Sequence, residues 1–227
     1  MKTIKNVLNY ENGTYYKVWF KLNDKFHRED GPADTEYYKT GQKKYEKYYI
    51  NDKLHRKNGP AIIYWHENGV KMIEEYYING NVHREDKPAY IYYNYKGVIT
   101  QIYYKLNGKI HRKNGPANIE WYNSGMLKYE CYYINNYKHR LDGPALTYWY
   151  QNGLKEIEEY YIDDKHHCQN GPARIRYNSD SNKIYKSDYY LVGEKFNREQ
   201  WLEELKRIDS IYYEEQKRLY DMEIYNI

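Results

Sequence analysis

The chain has 227 residues, with 36 Lys/Arg against 32 Asp/Glu, a net charge of +4, a mean hydropathy of −1.15 and 34 tyrosines. That charge is too weak to commit the protein to nucleic acid. No run of roughly 18 apolar residues is present to span a membrane, and two cysteines at non-equivalent places, Cys131 and Cys168, imply no disulfide framework.

Residues 1–10 read as the second half of a repeat, because Val7 lies 28 residues before Thr35 and Glu11-Asn12-Gly13 matches Glu67-Asn68-Gly69. This is the N-terminal cap that a repeat array needs. The start also lacks the apolar run of a signal peptide, so a cytoplasmic, reducing setting is the expectation.

His27, His55, His83, His111, His139 and His167 then follow at intervals of 28, and each is followed by Pro-Ala, from Pro32-Ala33 to Pro172-Ala173. All six prolines and all six alanines of the chain stand in these dipeptides. A fixed period of this length marks a repeat architecture. Each unit predicts two strands and two reversals. In the third, Val70 to Ile78 is long enough for one strand, and Asn79-Gly80 is a two-residue hairpin signal. Its equivalents are Asn23-Asp24, Asn51-Asp52, Asn107-Gly108, Asn135-Asn136 and Asp163-Asp164, all residues that tolerate the positive φ of a type I′ turn. A second reversal ends in glycine at 13, 41, 69, 97, 125 and 153.

The strand after Pro-Ala alternates. Ala61, Ile63 and Trp65 have equivalents that stay small, β-branched and aromatic, whereas Ile62 and Tyr64 correspond to Asp34 and Glu36 or Asn118 and Glu120. That pattern predicts one covered and one wet face. Phe20, Tyr48, Tyr76, Tyr104, Tyr132 and Tyr160 form an aromatic ladder on the longer strand, with an aliphatic ladder two residues on.

After Ala173 the period frays by one residue. Asn197 with Gln200 has capping-box spacing, and Trp201, Leu205, Ile208, Tyr212 and Leu219 share a helical stripe. The expectation is an all-β repeat array, one elongated twisted antiparallel sheet of successive β-hairpins over residues 1–196. An amphipathic helix over 197–227 would cap its last edge. Whether the sheet stays open or coils is not fixed by these residues.

The run Asn107-Gly-Lys-Ile-His111, Gly115, then Ile119-Glu-Trp-Tyr-Asn-Ser-Gly125 resembles MORN repeats, and the similarity over about residues 5–193 is closest to the longer MORN variants of giant DNA viruses, phages and bacterial antitoxins. The resemblance implies a twisted sheet of hairpins used for protein or membrane contacts and not for catalysis. This chain departs from the pattern by an Arg-x-Asx insertion before Gly-Pro-Ala and by Lys47 or Glu75 where the family has a strand glycine.

Six histidines in register invite a metal, but equivalent residues of two-strand units lie on the order of 10 Å apart, too far to share an ion that needs ligands at about 2 Å. His166-His167-Cys168 is dense, yet adjacent side chains diverge. Each histidine is expected to tie its own loop, and the Asx before Gly-Pro to cap that turn. Arg28, Arg56, Arg84, Arg112 and Arg140 form a ladder that either pairs with nearby carboxylates or meets an anionic partner. Outward Tyr64, Tyr77, Tyr92, Tyr133, Tyr148 and Tyr161 suit a protein interface, or unpaired bases. No nucleophile elbow, P-loop, dinucleotide fingerprint or zinc-ligand pair occurs, so no enzyme, cofactor or metal is expected. The reading is a protein-binding repeat scaffold whose partner is unnamed, with nucleic-acid binding as the alternative.

Overall fold

The computed structural model describes the backbone of residues 3–224 and the side chains of residues 3–211. The hairpin array is present. Strands follow one another in chain order across a 16-stranded antiparallel sheet, with only Lys25–Phe26 off the path. It opens with β1 (Ile4–Asn9) and β2 (Tyr15–Leu22), continues through pairs such as Ile62–Trp65 and Lys71–Glu75, and closes with Ile184–Leu191 and Glu194–Phe196.

The predicted two-residue turns form as expected, with φ between +49° and +76° at both Asx positions where no glycine intervenes. The strand expected from Val70 to Ile78 is broken, however, into Lys71–Glu75 and Tyr77–Ile78. At Tyr76 the backbone changes partners. Its N–H donates to Ala89 O at 2.9 Å, while its carbonyl accepts from His83 N at 3.0 Å, inside its own hairpin. The same switch occurs at Tyr48, Tyr104, Tyr132 and Tyr160. Each of these units therefore sends a short two-stranded hairpin out of the main sheet. Successive hairpins are linked by isolated backbone bonds, such as Asp52 N to Phe26 O and Arg28 N to Tyr49 O between the first two.

A β-bulge precedes each glycine turn, between Leu8 and Asn9 at the first and at the recurring aromatic in the others, for instance between Tyr64 and Trp65, which increases local twist. Here the expectation of one wet face is corrected. Ile62 and Ile63, on opposite faces, are 6 % and 7 % exposed. The detached hairpins supply the cover. Tyr133 packs with Tyr129, Cys131, Leu146 and Tyr161 into a core cluster on the face expected to be wet.

The helix, α1 (Arg198–Ile224), begins with the expected capping box. Asn197 N donates to Gln200 Oε1 at 3.1 Å and Gln200 N to Asn197 Oδ1 at 2.9 Å. Trp201 is buried, its ring 5.1 Å from that of Tyr189, and its Nε1 donates to Cys168 O at 3.2 Å. Leu205 and Ile208 are half-buried, so the helix caps the last unit. The side chains of Tyr212 and Leu219 on the same stripe lie outside the described residues.

Candidate interaction surface

Side chains alternate across a strand, so the pairing register sorts them into two faces. One face carries what repeats, here called the ladder face. The other carries what varies, and its centre is tyrosine.

On the ladder face the arginines are building elements of their own loops. The guanidiniums of Arg28, Arg56, Arg84, Arg112 and Arg140 lie 3.7 to 4.1 Å from the ring centroids of Phe20, Tyr48, Tyr76, Tyr104 and Tyr132. Each donates through Nη1 to the carbonyl of the proline four residues on, at 2.9 to 3.5 Å. Glycine lies close beside four of them, where a Cβ at Gly115 would sit 3.1 Å from Cζ and Nη1 of Arg112, whereas Lys87 takes that place beside Arg84. The Asx side chain was expected to cap the turn; Asp30 and Asp142 instead accept from Nε of Arg28 and Arg140 at 2.7 and 2.8 Å. That contact, with the charge beside it, holds both carboxyls below their ordinary range. Between consecutive loops lie open clefts. One of about 430 Å³ is lined by Arg84, Asp86, Tyr104, Leu106, His111 and Arg112.

The histidines also serve the array, but they reach forward to the next unit. Nδ1 of His27 lies 2.9 Å from Asn51 Oδ1, and His55 meets Asn79 and His139 meets Asp163 in the same way. His167 Nδ1 accepts from Val192 N at 3.1 Å. Its neighbour His166 points to the opposite face, stacked between the rings of Tyr161 and Tyr190. Adjacent side chains do diverge here. Among the described residues no three His, Cys, Asp or Glu side chains are grouped to hold a metal ion.

The other face is made by two cross-strand rows. Register aligns Tyr45 with Tyr64, Tyr92 with Gln101, Glu120 with Tyr129 and Tyr129 with Tyr148 in one row. The second row places Glu75 beside Tyr90, Tyr90 beside Tyr103 and Asn118 beside Cys131. Rings meet at 5.9 Å for Tyr45–Tyr64, 6.2 Å for Tyr92–Tyr103 and 4.7 Å for Tyr129–Tyr148. The detached hairpins add Tyr77, whose hydroxyl is 3.2 Å from that of Tyr90, with Tyr133 and Tyr161.

Of the six tyrosines expected to point outward, Tyr64, Tyr77, Tyr92, Tyr133 and Tyr148 are half-buried. Tyr161 is corrected to a core position at 7 % exposure, its hydroxyl donating to Glu159 at 2.7 Å. Burial raises the phenol pKa of Tyr77, Tyr92, Tyr133 and Tyr148, so these hydroxyls, protonated at neutral pH in any case, stay donors further into the alkaline range. Tyr90 and Tyr103 join the band, with Tyr45 and Tyr129 buried within it, although nothing in the repeat singled them out. Position 45 becomes Ile73, Gln101, Tyr129 and Ile157 in later units, so no ladder was visible.

Ion pairs cluster at the two ends of this face, with Lys128 and Glu120 at 2.6 Å between them. Lys17 meets Asp34 at 3.3 Å and Lys44 meets Glu36 at 2.7 Å at one end. Arg174 meets Glu159 at 2.6 Å and Lys195 meets Asp188 at 2.7 Å at the other. Lys47 and Lys105 lie over the rings of Tyr45 and Tyr90, at 4.7 and 5.2 Å. No helix among the described residues is long and apolar enough to cross a membrane. No family model and no curated protein matches the chain.

Proposed function

We propose that this protein is a non-catalytic repeat scaffold that binds another protein through its tyrosine face. The supporting observation is the band of half-buried tyrosines across the middle of the sheet, flanked by charges already paired with one another. Tyrosines supply large contact area at low conformational-entropy cost and keep a hydroxyl for a partner's polar groups. Six two-strand units offer a face about 60 Å long. The resemblance to MORN repeats, whose sheets make protein contacts, supports the same reading.

The alternative is single-stranded nucleic acid. It draws on Lys47 and Lys105 beside half-buried tyrosines, since bases stack on aromatic platforms next to cations. It loses the arginines, whose guanidinium planes are occupied by their own loops. The test uses immobilised full-length protein and its variant Tyr64→Ser/Tyr92→Ser/Tyr148→Ser. A specific protein captured from the expressing cells by the wild type and lost with the triple variant is the expected result. Capture that survives the variant, together with salt-sensitive binding of labelled single-stranded DNA or RNA, overturns it in favour of nucleic acid.

A further inference from the structure

The two edges of the sheet are treated differently. At the C-terminal edge, α1 packs Trp201 against Tyr189 and Glu194–Phe196 pairs with Tyr189–Leu191, which leaves only the start of that last long strand, at Ile184 and Tyr185, exposed. At the other edge β1 carries exposed apolar side chains, Ile4 at 66 %, Leu8 at 50 % and Val7 at 39 %. An open edge with apolar residues is a template for another strand.

The backbone shows which of its groups are free. Phe20 N donates to Ala33 O at 2.8 Å, so Phe20 faces away from β1. In an antiparallel ladder alternate residues face alternate neighbours, so Trp19 and Lys21 face β1. Their register partners Asn6 and Ile4 face back. Lys5 and Val7 therefore turn their N–H and C=O groups out from the edge.

We propose that two copies of this chain pair through β1 about a two-fold axis at Asn6. Lys5 of one copy then exchanges both hydrogen bonds with Val7 of the other, and Val7 with Lys5, so all four outward groups on each strand are used. Ile4 falls opposite Leu8 as a close, non-hydrogen-bonded pair, which joins the two most exposed apolar side chains of the strand. Registers centred on Lys5 or Val7 also satisfy the backbone, but they set Asn6 against Ile4 or Leu8. Registers centred between residues would oppose an outward group to an inward one. With the axis perpendicular to the sheet, the tyrosine faces of both copies lie on one side, and the scaffold doubles in length. The contact is isologous, each β1 meeting its own copy, and its two-fold axis closes it as a dimer.

Sedimentation velocity on the full chain should show a dimer at about 100 µM, the range of modest affinities. Asn6→Cys should form an intermolecular disulfide on mild oxidation, because a non-hydrogen-bonded pair sets Cα atoms about 4.5 Å apart, within disulfide range. Val7→Pro removes an N–H that points only outward, so it should weaken association at least tenfold with an unchanged circular dichroism spectrum. Leu8→Lys should do the same, and it decides the matter if the proline disturbs folding. A monomer at that concentration, or a dimer that survives Leu8→Lys and leaves Asn6→Cys reduced, overturns the proposal.

Discussion

Replacing Arg112 with alanine should show that the arginine ladder holds the array together. The guanidinium lies 3.9 Å from the Tyr104 centroid and its Nη1 donates to Pro116 O at 3.0 Å. A partly desolvated cation–π contact contributes about 1–2 kcal/mol, and a hydrogen bond from a charged donor about 1.5–3 kcal/mol. Arg112 is half-buried, so with solvent still near it the lower halves of both ranges apply, and about 2.5–3.5 kcal/mol should be lost. For a chain of this size that corresponds to a Tm fall of about 5–10 °C. Arg112→Lys keeps the charge but not the plane or the fork, and should lose roughly half as much. Gly115→Ala strikes the same contact from the other side, because its Cβ would meet the guanidinium at 3.1 Å and its φ is +135°. The Arg112→Ala/Gly115→Ala double variant should be markedly less destabilised than the sum of the singles. Thermal and urea unfolding measure all four proteins. A shift below about 1 °C for Arg112→Ala, with Arg112→Lys like wild type, would refute the reasoning and return the ladder to the role of a free charged edge.

Two carboxylates should respond to pH in opposite directions. Burial raises the pKa of Glu130, which Arg140 only partly offsets; Glu46, Glu74 and Glu158 have Lys43, Lys71 and Lys155 three residues before them, and Leu127 stands there instead. Its raised pKa makes it costly as pH climbs past the unfolded value, so Glu130→Gln should raise the urea midpoint at pH 7, with the gain gone by about pH 4. At Glu159 burial pushes upward but is outweighed by the neighbouring His166 ring, 3.6 Å away, by the hydrogen bond from Tyr161 and by the Arg174 charge, leaving a pKa of about 2. Its stabilisation is present above about pH 4.5 and lost as pH falls toward 2. Glu159→Gln should flatten that part of the acid profile by on the order of 2 kcal/mol, and an unchanged profile would contradict the assignment. The turns offer a gain. Asp52, Asn136 and Asp164 accept from Phe26, Ile110 and Lys138 N at 2.7 to 2.8 Å in the preceding hairpin, whereas Gly80 and Gly108 have no side chain to do so. Gly108→Asp, at φ +81° with open space around it, should add about 0.5–1 kcal/mol, read as a higher urea midpoint.

The repeat made the strands, both reversals and the turn chemistry legible, because each is fixed by residues that must recur wherever the backbone recurs; the helix occurs once and was legible instead from the Asn197–Gln200 capping box and the stripe that starts at Trp201. The break at Tyr76 was not legible. Its sequence, Ile73 to Ile78, has no glycine or proline, and the bend comes from hydrogen bonds to Ala89 and His83, which lie 13 and 7 residues further on. The error about the wet face follows from that break, because an unbroken strand leaves nothing to cover Ile62, Cys131 or Tyr161. The histidines were read correctly as structural but given the wrong partner, since a unit compared with itself cannot show a contact made one unit ahead.

These links explain why the two faces differ in character. A side chain that binds the neighbouring unit must match it, so Arg on Tyr, His on Asx and the small Ala survive every repeat where a neighbour follows. The end of the series obeys the same logic. Tyr189 stands 29 residues after Tyr160, Asn197 takes the place of an arginine, and the indole of Trp201 packs against the Tyr189 ring where a guanidinium would otherwise lie. On the opposite face a residue contacts mainly its cross-strand neighbours and the short hairpin of its own or an adjacent unit. It can change between Asp34, Ile62, Tyr90 and Leu146 if that small neighbourhood changes with it. Such a face can hold a different surface at each of six places on a uniform frame, and in this chain the central places have become tyrosine.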